Sequence, residues 1–396
     1  MRRTVIMLSA ICLVAALMAT TGWAQTLKVG VILPLTGEKA KFGEIEKKSF
    51  EMALEEINKA GGVGGKKIEF AFEDDTGRPD VARAAAEKLI SRDQVIMLTG
   101  GYGSSETFAI AGVAQQKRMP FLVCTGSDNK ITEKGWDYIY RLNPPVGDYA
   151  KGLESFLTEV VKPKTAAILY ENTNFGSAGS KEFQETCKRL NIKVVISEGY
   201  QHGGVDFKPI LVKVKEAKPD LVYMISYLMD ASLLMKQSME LRIKPALFVG
   251  GAAGFTLPEF QANCGKASES VFSATLWYQT LPYPGAKKYY DDFKAKYGKE
   301  TEYHGAEAYA AAYVVADVLK RTKSTSAADI KASLAATDVK TVFGPVKFVA
   351  YEKMKNQNKL PTYLVQWIDG KLELVWPKEI ASKPYVYPIK WDDVWK

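Results

Sequence analysis

Short apolar runs alternate with longer amphipathic stretches, and the alternation occurs twice along the chain. In the first series, LKVGVILPL (Leu27–Leu35) reads as a buried strand. FGEIEKKSFEMALEEINKAGG follows as a helix: Phe50, Ala53, Leu54 and Ile57 share one face, and Gly61 and Gly62 stop it. KIEFAFEDD is a strand, PDVARAAAEKLISR a helix opened by Pro79, and Val95–Leu98 a strand. A helix from Ser104 and the strand PFLVC complete the series. In the second, the strands TAAILY, IKVVISEGY, DLVYMISY and ALFVG are separated by helices from about Ser177 to Leu190, Lys208 to Ala217 and Asp230 to Leu241. Strands that alternate with helices imply parallel sheets covered on both faces. Two such series imply an α/β chain of two doubly wound parallel-sheet lobes.

The ends differ from this pattern. Arg2 and Arg3, the apolar run Val5–Ala19 and the small residues Gly22 and Ala24 make the three-part pattern of a secretory signal peptide, with cleavage expected after Ala24. No later segment has the roughly 18 apolar residues needed to span a bilayer. What remains is more than one core usually serves, so two domains are expected. Near the C-terminus, GPVKFVAY and TYLVQWI-DG-KLELVW are antiparallel in character, and Asp369-Gly370 signals a hairpin. The aromatic, proline-rich tail after Pro377 is expected to wrap over a lobe.

Composition removes several functions. The formal charge of +8 falls by two once Arg2 and Arg3 are removed, and the remaining basic residues are dispersed among acids. Nucleic acid would need a concentrated basic stripe with stacking aromatics. The expected mature chain keeps Cys124, Cys187 and Cys264. An odd number allows at most one bridge, and Cys187 with Cys264 is the pair left open. No CxxC, HExxH or GxSxG occurs, so neither a metal site nor an enzyme is expected. His202 reads as a surface-loop residue and His304 as a neighbour of a helix cap.

The strand at Val95–Leu98 runs into Thr99-Gly100-Gly101-Tyr102-Gly103, followed by Ser104 and Ser105 at the mouth of a helix. In doubly wound sheets ligands sit beyond the carboxyl ends of the strands. Glycines let backbone approach a ligand, and a helix N-terminus with hydroxyls suits a carboxylate. GGYGSS lacks GK[ST] and the GxGxxG spacing, so no nucleotide cofactor is expected. Other strand ends carry Phe42, CTGSDN, Phe175, Tyr227 and VGGAAG. Apolar walls with a few placed polar groups are the composition of a small-molecule cleft.

In this order, KVGVILPLTGEKAKFG, ALEEINKAGGVGGKKIEFAFEDD, PDVARAAAEKLI, GGYGSSET, YENTNFG and FVGGAAG resemble the branched-chain amino-acid-binding group of ABC-importer solute-binding proteins. The resemblance covers essentially the whole mature chain. It implies a type I periplasmic-binding-protein fold, with two lobes joined by a three-stranded hinge that closes on ligand. By position, the crossings fall near Asn143–Gly147, Ser273–Tyr278 and Gly344–Phe348. Lobe one is then 25–145 and 278–344, and lobe two 146–277 and 345–396. The resemblance also implies an exported, periplasmic monomer that delivers a small molecule to a membrane permease. A ligand-sensing receptor domain is the alternative from another class.

The family's site carries over residue by residue. The serine that holds the ligand carboxylate falls on Ser104, beside Tyr102 and Ser105. The amides that share the carboxylate fall at Gly126, near Ser127, and a following threonine falls on Asp128. The first-loop aromatic falls on Phe42. One tyrosine falls on Phe175, a departure, and another on Tyr227 or its neighbour Ser226. The acid that neutralises the ligand's ammonium falls at about Ala252, which is no acid. A buried ammonium without a charged partner costs several kcal/mol. Asp128 could supply the charge, but facing the ligand it would repel a carboxylate. An aromatic carboxylate is therefore the first expectation, with Trp277 as a further wall and amides or urea as further candidates. A branched-chain amino acid is the alternative.

Overall fold

The computed structural model describes residues 26–396, and the expected leader lies outside the described residues. The first sheet is built from β1 (Leu27–Leu33), β2 (Ile68–Asp74), β3 (Met97–Gly100), β4 (Phe121–Val123) and β5 (Ile139–Arg141), ordered β2-β1-β3-β4-β5 and all parallel. The second repeats the order with β6 (Thr165–Glu171), β7 (Lys193–Tyr200), β8 (Leu221–Ile225), β9 (Leu247–Gly250) and β10 (Phe272–Thr275), as β7-β6-β8-β9-β10. Strands β3, β4, β8, β9 and β10 are buried throughout, which is why they read as unbroken apolar runs.

Helices cover both faces. In lobe one they include α1 (Ala40–Lys59), α2 (Pro79–Ser91) and α3 (Ser104–Gln116). In lobe two, α4 (Asn174–Arg189), α5 (Lys208–Ala217) and α6 (Leu228–Glu240) follow. After β10 the chain returns to lobe one as α7 (Ala286–Tyr297) and α8 (Tyr303–Arg321), with α8 packed along α1. No amphipathic reading of the sequence had isolated α7. Among the described residues no helix is long and apolar enough to cross a membrane.

The C-terminal third corrects one boundary. After the two-stranded ribbon of β11 (Asp338–Thr341) and β12 (Gly344–Lys347), strands β13 (Val349–Tyr351) and β14 (Met354–Gln357) join the first sheet. Residues 345 onward had been expected in lobe two, yet Gln357 pairs with Arg141 of β5. The physical reason is an open edge: β5 presents unpaired backbone groups that β14 satisfies. Only β15 (Tyr363–Ile368) and β16 (Lys371–Trp376) enter the second sheet, as a hairpin turning at Asp369-Gly370. The tail then packs on lobe two, where Trp391 Nε1 donates to Pro245 O at 2.6 Å. Cys124, Cys187 and Cys264 are all buried and unbridged, so the open pairing of Cys187 with Cys264 is not made.

Candidate ligand-binding site

In each sheet the strand order reverses at the first strand, so a crevice opens beyond the carboxyl ends of β1 and β3, and of β6 and β8. The two crevices face each other. Each is closed behind by the same device. Gly43 of α1 lies so near the end of β1 that a Cβ would meet Pro34 O at 2.0 Å, and Gly176 of α4 would meet Glu171 O at 1.9 Å. Glycine at these points seats the helix on the strand end. It brings Phe175 into the cavity lining, whereas Phe42 stacks on Tyr102 and does not itself line the cavity.

The polar end of the cleft grows from β3. Gly100 and Gly101 have φ of +94° and +80°, and they turn the chain so that α3 begins at Ser104. Ser104 Oγ accepts from the backbone N–H of Ser127 at 3.3 Å and of Asp128 at 3.1 Å. Gly126, expected to offer a free amide, instead donates to Gly101 O at 2.9 Å. Asp128 turns away: its carboxylate accepts from Lys130 N–H at 3.0 Å, and burial pushes its carboxyl above the usual range. Ser127, not Asp128, lines the cavity with Ser104 and Thr125.

Aromatic rings form the walls. Tyr102 stacks on Phe42 at 4.6 Å, and both meet Tyr227 from lobe two, at 5.9 Å and 6.1 Å. Phe175 lies 5.5 Å from Tyr227 and 6.3 Å from Tyr149. Tyr149, Tyr303, His304, Thr125 and Ala253 also line the cavity. The sequence reading had the loops CTGSDN and VGGAAG, which hold Thr125 and Ala253, without singling out those residues, and it missed Tyr149, Tyr303 and His304 as cleft residues. Tyr149 and Tyr303 lie beyond crossings rather than at strand ends, so strand-end logic could not find them. His304 Nδ1 lies 2.7 Å from Glu302, which also accepts the His304 N–H. With the lobes together the cavity measures about 20 Å³, room for about one water.

Several contacts hold the lobes together over it. Ser105 accepts from Asn174 N–H at 3.3 Å, so it bridges lobes rather than facing the cavity. Thr256 Oγ1 donates to Glu302 at 3.1 Å, and Asn129 Nδ2 to Glu182 at 3.1 Å. Lys39, paired with Glu106 at 3.1 Å, sits 4.6 Å over the Tyr227 ring.

Two expected residues behave differently. Ala252 does not line the cavity, and its neighbour Ala253 does. Both hold positive φ, +62° and +48°, and Ala253 N–H donates to Tyr303 Oη at 3.0 Å. Trp277 lies elsewhere: its Nε1 donates to Val342 O at 2.8 Å, and it borders a separate cavity of about 300 Å³ beyond Glu302. Of the expected site residues, only Trp277 borders that cavity. Behind Thr125, Glu46 accepts its hydroxyl at 2.6 Å. Glu46 Oε2 and both Glu307 oxygens are buried without a partner. Burial, with like charge nearby, pushes Glu46 up to about 8 and Glu307 well above the carboxylate range.

Two matched α/β lobes that meet over a small polar and aromatic cavity define a class of solute-binding protein. Residues 26–371 match the family described as periplasmic binding protein, and the chain belongs to that family. It is 28% identical over 383 residues to a Leu/Ile/Val-binding protein homolog of Brucella melitensis, covering 93% of this chain and 96% of that one. The branched-chain amino-acid transporter substrate-binding protein of Streptococcus pneumoniae, in complex with isoleucine, superposes with a TM-score of 0.80. That pair is 25% identical, with 88% of this chain and 98% of the other covered. An R. palustris ABC-transporter solute-binding protein in complex with benzoate has a TM-score of 0.79 at 20% identity, covering 91% of this chain and 98% of that one. The protein is thus a periplasmic solute-binding protein by family, and that family is non-enzymatic.

Proposed function

We propose that the cleft captures a small organic acid with an aromatic body and presents it to a membrane permease after export and cleavage of the leader. The observation that carries this is the polarity of the cavity. Ser104, Ser127 and the mouth of α3 supply polar groups, and Tyr102, Phe175, Tyr227, Tyr149 and Tyr303 make the walls, with Phe42 stacked on Tyr102 outside the lining. Hydroxyls at a helix N-terminus favour a carboxylate. Aromatic pairs add roughly 0.5–1.5 kcal/mol each beyond buried area. The position expected to carry the ammonium's acid is Ala252, and Asp128 is turned to Lys130.

A branched-chain amino acid is the second reading. The Brucella relatives' name favours it, and so do the unpartnered carboxyls of Glu46 and Glu307 behind Thr125, which offer acceptors on the lobe-one side. The family fold accompanies isoleucine in one relative and benzoate in another, so ligand class is a question for the side chains.

The test is a thermal-shift panel of benzoate, 3,4-dihydroxybenzoate, phenylacetate, leucine, isoleucine and urea on the mature protein. A ligand at about 1,000 times its Kd stabilises by about 4 kcal/mol, a rise of several degrees in Tm. A rise with aromatic acids alone is expected. A rise with leucine or isoleucine alone would replace the first reading by the second.

A further inference from the structure

His202 sits where the lobes meet, in the loop after β7. Its Nδ1 lies 2.7 Å from Asp230 Oδ2, in the first turn of α6, and its Nε2 lies 3.0 Å from Glu38 Oε2, in the lobe-one loop after β1. Gly203 N–H donates to the other Asp230 oxygen at 3.1 Å, and the His202 ring meets Tyr227 edge-on at 5.0 Å. Asp230 is wholly buried, whereas the Glu38 carboxylate is more than half exposed. The histidine therefore belongs to lobe two in any lobe arrangement, and only closure brings Glu38 to it.

A neutral imidazole has one N–H and one lone pair. Between two carboxylates, the lone pair would face negative charge. The imidazolium donates to both. We propose that His202 is a closure latch that couples ligand capture to proton uptake, its imidazolium bridging Asp230 of lobe two and Glu38 of lobe one only when the cleft is shut. This rests on the reading that the cleft closes on a ligand.

The surroundings agree in sign. Glu171, at the end of β6, adds negative charge. Lys39 opposes, but it is itself paired with Glu106. Tyr227 stays neutral, since burial raises its hydroxyl well above the usual range. Burial of His202 works against its charge, yet the Asp230 hydrogen bond and charge outweigh it, so the imidazole is held above its ordinary value. Opening removes Glu38, 3.0 Å from Nε2, together with the opposing charge of Lys39 and the lobe-one share of the burial. In the latch the loss of the direct Glu38 bond outweighs both and lowers that value. The closed state therefore holds the proton more tightly than the open one. Linkage makes the effect reciprocal: closure is favoured below the open-state value, and the advantage is lost as pH rises through the closed-state value.

Two measurements test this. In the first, Ser105→Cys and Asn174→Cys, at the point where the Asn174 backbone N–H meets Ser105 across the lobes, are used to cross-link the lobes without any ligand. NMR titration of His202, assigned by its loss in His202→Gln, should give a higher midpoint in the cross-linked form than in its reduced form. Glu38→Gln should erase the difference. Equal midpoints in the two forms would overturn the latch.

In the second, affinity for benzoate and for isoleucine is measured by calorimetry at pH 5.5 and pH 8.5. For whichever binds, affinity should fall about tenfold in the wild type, within the usual range of coupling between linked sites, and less than about twofold in Glu38→Gln. Parallel falls in both proteins would also overturn it. If neither probe binds, the proposed ligand class fails, while the cross-linked titration still decides the latch.

Discussion

Ser104 Oγ accepts two backbone N–H groups from the loop after β4 while lying at the mouth of α3. Removing it takes a donor from an incoming carboxylate and leaves both amides without that acceptor. Ser104→Ala should weaken binding of an acidic ligand by roughly 1.5–3 kcal/mol, the scale of a charge-assisted hydrogen bond. Titration calorimetry would read this, and an unchanged Kd would remove Ser104 from ligand contact. Glu46 gives a pH signature. Its folded value of about 8 lies above the ordinary 4.5, so the folded protein holds a proton that the unfolded chain releases. Stability from this group is full at low pH and falls as pH rises from 4.5 towards 8. Glu46→Gln keeps an acceptor for Thr125 and removes the titration. The variant should be more stable than the wild type at pH 8 by on the order of 2 kcal/mol, with little gain at pH 4.5. Urea unfolding at the two pH values decides it, and matching slopes would mean that Glu46 is not the group responsible.

Among the elements, the turn after β9 carries identifiable strain. Ala252 holds φ +62° with ψ −141°, a region that residues with a Cβ rarely enter, and Ala253 follows at +48°. Ala252→Gly should raise stability by about 1 kcal/mol, because relief of strain exceeds the added entropy of the unfolded chain. A lower Tm would show that the alanine methyl packs more favourably than the turn is strained. The helices were largely legible in their periodicity, and the starts at Pro79, Ser104 and Lys208 were read correctly, but others were not. Sequence placed the start of α4 near Ser177, whereas it begins at Asn174, which puts Phe175 in the first turn. Nothing in the local pattern of Asn174-Phe175 distinguishes a loop from a first turn. The contact of Gly176 with the end of β6 does.

At the scale of the molecule, two of the passages between sheets, the one after β5 and the one after β14, start from a buried polar knot. Arg141 Nε donates to Gln357 Oε1 at 2.7 Å, and Gln357 Nε2 donates to Asn143 O at 2.8 Å. Arg141 is wholly buried, and burial pulls its guanidinium down to about 10. Gln357→Leu would leave the buried cation short of an acceptor. It should cost about 2–4 kcal/mol, read as a lower urea midpoint, and an unchanged midpoint would deny the knot a role in holding β14 to β5.

What the sequence determined by itself was the repeated α/β architecture and the strand ends that carry Phe42, Tyr102, Ser104, Phe175 and Tyr227. Those follow from local periodicity and from the rule that such sheets bind at their carboxyl ends. Only the tertiary structure decided that Asp128 turns to Lys130, that Ser105 bridges lobes, that Trp277 borders another cavity, and that Tyr149, Tyr303, His304 and His202 belong at the cleft. Each of these depends on where a side chain points and on which distant segment lies opposite it. Apart from the Asp128–Lys130 turn, which is local, such contacts join residues far apart in the chain, and no local pattern encodes them.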